Sequence, residues 1–563
     1  MKKKWFVRSC VVAAVSFAAA AHADSLYAQG TKGQSSSGSA TEVADDSVLA
    51  VGLAPIDTLL PNVQHLARLI GGGQAAGMVQ ASLKQFTNGL DTSRPAGVFV
   101  ELDESGTPDP IVCLPLKNFE TFTRQLAIFG EPEDLGDGLY AYYLAVPVYL
   151  RNVDGWLVAG QSEDAILNFD PKVTENLKGL VSKYDLRIQV SPQNIPSELV
   201  DFFLAQIEQG FEQGIEQSPD LEEEAVELAR KNAEMSVQNI RDIVEGTDKA
   251  ILGLAISPKE KKTVLDLGTK FISGSKFSKQ LDKYNGATSA LSAVAQEESA
   301  LSWNSVQFVL PEDIQQAESS LEVSLEAIFA EIDKKAGEAV DGEEAKKLIR
   351  RLVDLGLSSA REGKVESSFN LTTEANLNAV LAFSVADGKA FADIVADFNK
   401  VLLEKERKLV TVKTNVKKVG GGDLHRISIQ LGNKKEDEVA KKIFGSNIEL
   451  AVVTAPKSVY VAIGKDCEST VEQAVARVAA KPSAPASMIT LRSKLSKLAS
   501  FIDSIQTNPA VAAFAAATAS GNDFVTVDSK VEGLDSVIRI SVGDQVFKGA
   551  QEATKAARDG DGF

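Results

Sequence analysis

Histidine and cysteine supply most nucleophilic and metal chemistry, and this chain of 563 residues holds three of each. His22 and Cys10 fall in the first 23 residues, leaving His65 and His425, Cys113 and Cys467. Two histidines so far apart set no metal-ligand spacing. No paired-cysteine zinc pattern, no H-E-x-x-H and no G-x-S-x-G elbow accompanies them. His65 lies in an amphipathic helical stretch, Val63–Ile70, and His425 opens a strand after Gly420–Gly422. Single histidines at such places read as structural. Gly71–Gly73 and Gly420–Gly422 lack the Lys-Ser/Thr of a phosphate loop and the glycine spacing of a dinucleotide turn. Helix punctuation accounts for both. Carboxylates are plentiful, so a glycosidase-like pair cannot be singled out from abundance. Asp559-Gly560-Asp561-Gly562 opens like a calcium loop but lacks the later ligands, and reads as a polar tail. No catalytic residue, metal or cofactor emerges, and the chain reads as a non-enzyme.

Two further sets of residues stand out. Tyr140, Tyr142, Tyr149 and Trp156, with Tyr143 beside them, concentrate in one β segment of a chain with eight tyrosines. The binding interpretation is an aromatic platform for sugar, peptide or lipid. Ordinary sheet packing is the favoured one, since strands prefer aromatics. Cys113 sits in the apolar strand Ile111–Leu116, where a thiol behaves as a small buried hydrophobe. An oxidising compartment would also permit a Cys113–Cys467 disulfide.

The elements that hold these residues recur. Gly363–Lys400 reads as two strands, a polar turn and a helix capped by Asp387. Val365, Ser367, Phe369 and Leu371 alternate with polar residues, and Phe391, Ile394, Val395 and Phe398 follow at helical spacing. The pattern returns at Gly521–Ala557, Asp248–Tyr284 and Arg94–Leu126, each preceded by a short strand and two helical stretches. The expected fold class is therefore α+β: four strand–helix–helix–hairpin–helix units in two pseudo-repeated halves, with antiparallel hairpins packed against helices. Units one and three carry extra strands, at Gly138–Phe169 and from His425 to Ile463, and units two and four do not. That alternation places one repeat domain at 47–284 and a second at 303–557. Residues 285–302 form a connector, read as helical or as a remnant of the missing strands. Lys481–Ala486 is a Pro-rich break, and 558–563 a polar tail.

Met1–Ala23 reads as a secretory signal, with a basic start, the apolar run Val11–Ala20 and the small-residue site Ala21-His22-Ala23. That run is too short for a membrane anchor. Residues 24–46 contain a Gly/Ser-rich leader. The expectation is an exported periplasmic or extracellular protein with no further membrane span. A formal charge of −18 disfavours nucleic acid and anionic lipid surfaces as partners and favours solubility.

The segments NFETF (118–122) and GKAFADIV (388–395), with the later strands GWLVAG (155–160) and VYVAIG (459–464), resemble those of a group of large secreted bacterial proteins of unknown function. The resemblance spans most of the mature chain and implies no activity. Three functions remain. The first is a non-catalytic scaffold or binding protein of the cell envelope, with an unknown protein partner. The second is a carrier of an apolar small molecule such as lipid, in a cleft between helices and sheet and lined by the apolar stretch Ala510–Ala517. The third is a hydrolase with an unidentified carboxylate pair.

Overall fold

Hairpins with one apolar face must be joined to other strands or covered by helices, and the computed structural model shows both. It describes residues 47–560 except 74–76, 78–86, 104–105, 127, 129, 218–222, 336–340, 375, 433–437 and 482. The expected signal at 1–23 and leader at 24–46 lie outside the described residues. The fold is α+β and its centre is one large antiparallel sheet.

The first half supplies β1 (Leu49–Leu53), β2 (Ala96–Leu102), β3 (Pro108–Pro115), β4 (Glu133–Gly136), β5 (Leu139–Tyr143), β6 (Pro147–Val153), β7 (Trp156–Gly160), β8 (Leu186–Val190), β9 (Thr247–Ser257) and β10 (Lys262–Phe271). The two-residue β11 (Thr288–Ser289) belongs to the connector. The second half supplies β12 (Leu301–Phe308), β13 (Lys364–Thr372), β14 (Asn378–Ser384), β15 (Val410–Val419), β16 (Gly422–Gln430), β17 (Asn447–Ala455), β18 (Ser458–Gly464), β19 (Ala484–Pro485), β20 (Thr490–Lys494), β21 (Phe524–Glu532) and β22 (Asp535–Gly543). From edge to edge the sheet runs β4–β5–β6–β7–β3–β2–β1–β8–β9–β10 and then β22–β21–β20–β12–β13–β14–β18–β17–β16–β15. Every neighbouring pair is antiparallel. Read inward from either edge the two sequences match strand for strand, so a pseudo-two-fold axis passes through the β10–β22 seam. Nine residue pairs, from Lys262↔Gly543 to Lys270↔Asp535, close that seam.

Helices fill the connections. In chain order they are α1 (Ile56–Leu69), α2 (Phe119–Leu126), α3 (Glu163–Leu167), α4 (Lys172–Leu180), α5 (Ser197–Glu216), α6 (Glu223–Gly246), α7 (Lys276–Asp282) and α8 (Pro311–Lys335). They continue with α9 (Gly342–Arg361), α10 (Gly388–Val401), α11 (Glu404–Arg407), α12 (Glu438–Phe444), α13 (Cys467–Ala480), α14 (Leu495–Ile505), α15 (Pro509–Thr518) and α16 (Asp544–Gly560). The expected cap at Asp387 is in place, and two serines cap helices in the same way. Asp387 accepts from the N–H groups of Lys389 and Ala390 at 2.8 and 3.2 Å, Ser162 from Ala165 and Ser275 from Ser278.

Both faces of each outer region are covered, because successive residues of a strand point to opposite sides. On one face α3 and α4 seal Ala50, Phe99, Cys113, Trp156 and Val158, and α13 seals Val380, Ala382, Val453 and Tyr460. On the other, Phe122 of α2 packs with Tyr142, Leu150 and Leu157, and Val395 of α10 with Leu381, Phe383 and Val452. Glycine permits the closest approaches. A Cβ on Gly97 would stand 2.2 Å from a methyl of Leu177 on α4, and one on Gly253 would stand 2.4 Å from the Tyr184 ring.

Several expectations need correction. Leu139–Leu150 is two strands, β5 and β6, turning through Leu144–Val146. No Gly, Asn or Asp marks that turn, so the apolar run reads through it. The edge strands β4 and β15 escape the sequence pattern. Residues 285–302 hold the two-residue β11 and a single 3-10 turn at Ser292–Val294, and β12 begins at Leu301. Glu366 accepts from Ala290 N, Leu291 N and Ser289 Oγ at 2.8, 3.2 and 3.1 Å, and Leu291 and Val294 enter the core under α13. The Pro-rich break pairs with this connector, β11 with β19. Helix α16 continues to Gly560, past the expected domain end at 557. The Cys113–Cys467 disulfide does not form, and both are free, buried thiols. Cys113 belongs to β3, and Cys467 opens α13, which packs on β14, β17 and β18. Eleven strand intervals separate β3 from β14, about 50 Å along the sheet at roughly 4.8 Å each. A bridge needs Cα atoms within about 7 Å.

Candidate binding surfaces

The aromatic set does not assemble into one platform. Alternation along β5, β6 and β7 divides it between the two faces. Tyr140 and Tyr142 join the core under α2, where the Tyr140 ring lies 5.5 Å from Phe119, whereas Tyr149 and Trp156 join the core under α3 and α4. Tyr142 and Trp156 are buried, and the Arg94 guanidinium stacks 4.3 Å over the Trp156 ring. Tyr143 alone stands out, at 64% exposure.

Tyr143 belongs instead to an exposed apolar surface at one end of the sheet. It leads into the β5–β6 turn, where Leu144 and Val146 are also exposed. The register places this turn, the β2–β3 turn and the start of α5 at the same end. Leu199 of α5 comes close to Gly106 of the β2–β3 turn. On α5, Phe203, Ile207 and Phe211 repeat at i, i+4 and i+8, one stripe of the helix, and all three are exposed. Phe202 is 56% exposed, its ring edge-on to Phe203 at 5.8 Å. The side turned to α6 is different: Leu204 is buried, Asp201 pairs with Arg241 at 2.7 Å and Glu212 with Arg230 at 3.1 Å. In the sequence, α5 carries more apolar residues than a single packing face needs.

The pseudo-two-fold axis carries this end onto a cleft in the second half. There α14 replaces α5, the β13–β14 connection replaces the β2–β3 turn, and α12 replaces the β5–β6 turn. The cleft has a volume of about 670 Å³. Its walls mix Leu377, Ile443, Phe501 and Ile505 with Lys442, Lys465 and Lys497. Lys497 is bonded to Glu374 at 2.6 Å and holds that carboxyl below its usual range. A second cleft of about 330 Å³ lies between α9 and α10, where hydrogen bonds from Lys400 and Arg351 hold Asp397 low. The carboxyls whose pKa is raised are elsewhere. Asp109 is raised by burial and then by Asp103, and Asp535 by burial and then by Asp248 and Glu532. Neither Asp109 nor Asp535 lines either of the two clefts.

The remaining sequence candidates are structural in their contacts. His65 on α1 bonds Asp544 at the start of α16 at 2.7 Å, and His425 is buried beside Thr454. Burial pushes the Cys113 thiol up to about 12 and Cys467 up to about 11. Among the described residues no group of histidine, cysteine and carboxylate side chains is placed to hold a metal ion. No described helix is long and apolar enough to cross a membrane. No family model, no curated protein and no solved structure matches this chain.

Proposed function

We propose that this is an exported, non-catalytic binding protein of the bacterial envelope, a duplicated scaffold that presents a partner-binding surface at the end of its first half. One observation carries the reading: α5, which starts at the same end of the sheet as the apolar β5–β6 turn, bears an exposed aromatic stripe. An isolated exposed apolar residue is ordinary, whereas a contiguous patch is a mark of interaction surfaces. The helical pair is held together by its own ion pairs and by Leu204 and Ala233, so Phe202, Phe203 and Ile207 remain available for a partner. Acidic residues of the same helix, Glu198 and Glu208, suit a partner with a basic rim.

Native mass spectrometry of the mature protein, purified from its own envelope without detergent, tests this reading. The expected spectrum contains an assembly with a second protein, reduced to the bare chain in a Phe202→Ser/Phe203→Ser variant. These side chains are exposed, so the variant keeps its fold by circular dichroism. A bare wild-type chain, or an assembly unaffected by the double substitution, overturns the proposal. A stoichiometric small-molecule mass in its place would favour the carrier.

A further inference from the structure

The geometry points to the cleft between α12, α14 and Thr373, Glu374, Asn376 and Leu377 of the β13–β14 connection as the binding site of an amphiphilic oxyanion, a carboxylate or phosphate head on an apolar chain. Charge is the first argument. The chain as a whole carries −18, yet this cleft is lined by three lysines and one glutamate. Lys497 is engaged by Glu374, and Lys442 donates to the carbonyl of Ile505 at 2.8 Å. Lys465 has no carboxylate partner among the described residues and is exposed at the rim. Two cations therefore remain uncompensated by any carboxylate of the cleft. Such a concentration of one sign in a concave surface focuses the field and attracts the opposite charge.

The walls supply the second argument. Helix α14 turns two rows toward the cleft: Ser496, Ser500 and Ser504 at i, i+4 and i+8, and Lys497 and Phe501 at i and i+4. Phe501 and Ile505 face Leu377 and Ile443 across the space, which gives an apolar chain a lining. The hydroxyls and ammonium groups give an oxyanion its hydrogen-bond donors. The volume of about 670 Å³ falls within the range of about 300–1,000 Å³ found for small-molecule sites. Position is the third argument. The cleft is the pseudo-two-fold counterpart of the apolar end proposed above as a partner surface, so equivalent ends of the two halves present different chemistry, an apolar stripe in the first and a lysine-lined cleft in the second. This site is independent of the partner surface on α5.

Isothermal titration of the mature protein tests the assignment, using dodecanoate, dodecyl phosphate, dodecyltrimethylammonium and acetate below their micellar concentrations. Dodecanoate or dodecyl phosphate is expected to bind one to one. The cationic amphiphile is expected not to bind, and acetate to need at least tenfold higher concentration. Lys465→Gln, which breaks no ion pair, and the Lys442→Gln/Lys465→Gln double variant are expected to weaken binding by tenfold or more for the double. The Phe202→Ser/Phe203→Ser variant should bind as wild type does, which keeps this result separate from the partner surface. Uptake from solution assigns a free acid. Co-sedimentation with phosphatidylglycerol vesicles, lost in the lysine variants, assigns a lipid head as the source of the same chemistry. Equal binding of the cationic amphiphile, unchanged affinity in the double variant, or no binding in either arm overturns the proposal.

Discussion

His425 shows what burial does to a single residue in this sheet. It is 1% exposed, its Nε2 lies 3.0 Å from Thr454 Oγ1, and its Nδ1 has no partner among the described residues. Burial holds its pKa below the ordinary 6.5, with Asp423 opposing only in part. The sign of the linkage follows. Between the folded pKa and 6.5 the unfolded chain binds a proton that the folded chain refuses, so stability rises with pH there. Above 6.5 the contribution is fully present, and it is lost as pH falls toward the folded value. Thermal melts at pH 7.5 and 5.5 should therefore show a larger loss in wild type than in a His425→Asn variant. Equal losses would mean that His425 titrates normally. The two thiols obey the same rule, raised by burial and inert as nucleophiles.

At the scale of elements the decisive joint is β10 against β22. Asp266 of β10 is 1% exposed and takes a bidentate pair from Arg539 of β22, at 2.9 and 2.7 Å, with the Tyr184 hydroxyl donating at 2.9 Å. Burial, and then the Asp266 charge, push the Tyr184 phenol up to about 12, so it remains a donor. This knot ties strand β22 of the last unit to β10 and to the segment before β8, across the two halves. Breaking a fully buried pair costs about 3–5 kcal/mol, and Arg539 is half exposed, so Asp266→Asn should cost about 2 kcal/mol. Urea denaturation measures it as a lowered midpoint, and an unchanged midpoint would sink the argument. A second tie, His65 to Asp544, joins α1 to α16 across the same seam.

For the whole molecule the continuous sheet leaves only two edges, and each is guarded. Strand β4 is four exposed residues with a register shift between Asp134 and Gly136. Strand β15 is longer, but its pairing with β16 shifts between Lys413 and Lys417, and Asn415 has a φ of 52°. Lys413, Lys417 and Lys418 stand exposed along it. Short, bulged or lysine-studded edges resist pairing with further chains. Replacing Lys413 and Lys418 by valine should produce larger species than wild type in sedimentation velocity. An unchanged distribution would show that the bulge alone protects the edge.

Local pattern was enough to reveal the parts. Alternation at Val365–Leu371 marks β13, the caps Asp387, Ser162 and Ser275 mark helix starts, and the recurrence of the unit marks the two halves. These signals lie within a few residues of one another, where side-chain period and backbone hydrogen bonding decide the conformation. The β5–β6 turn was hidden because apolar residues occupy a place where glycine or asparagine usually signals the bend, and β15 because its apolar alternation ends after Val410 and Val412, where the register shifts. The joining of the halves into one sheet, the division of Tyr140, Tyr142, Tyr149 and Trp156 between two faces, and the separation of Cys113 from Cys467 were decided only by tertiary structure. So was the cleft, whose lysines come from helix α12 (Lys442), helix α14 (Lys497) and the turn after β18 (Lys465). Strand pairing over hundreds of residues depends on which edges find each other once each unit has folded, and no short stretch of sequence carries that information.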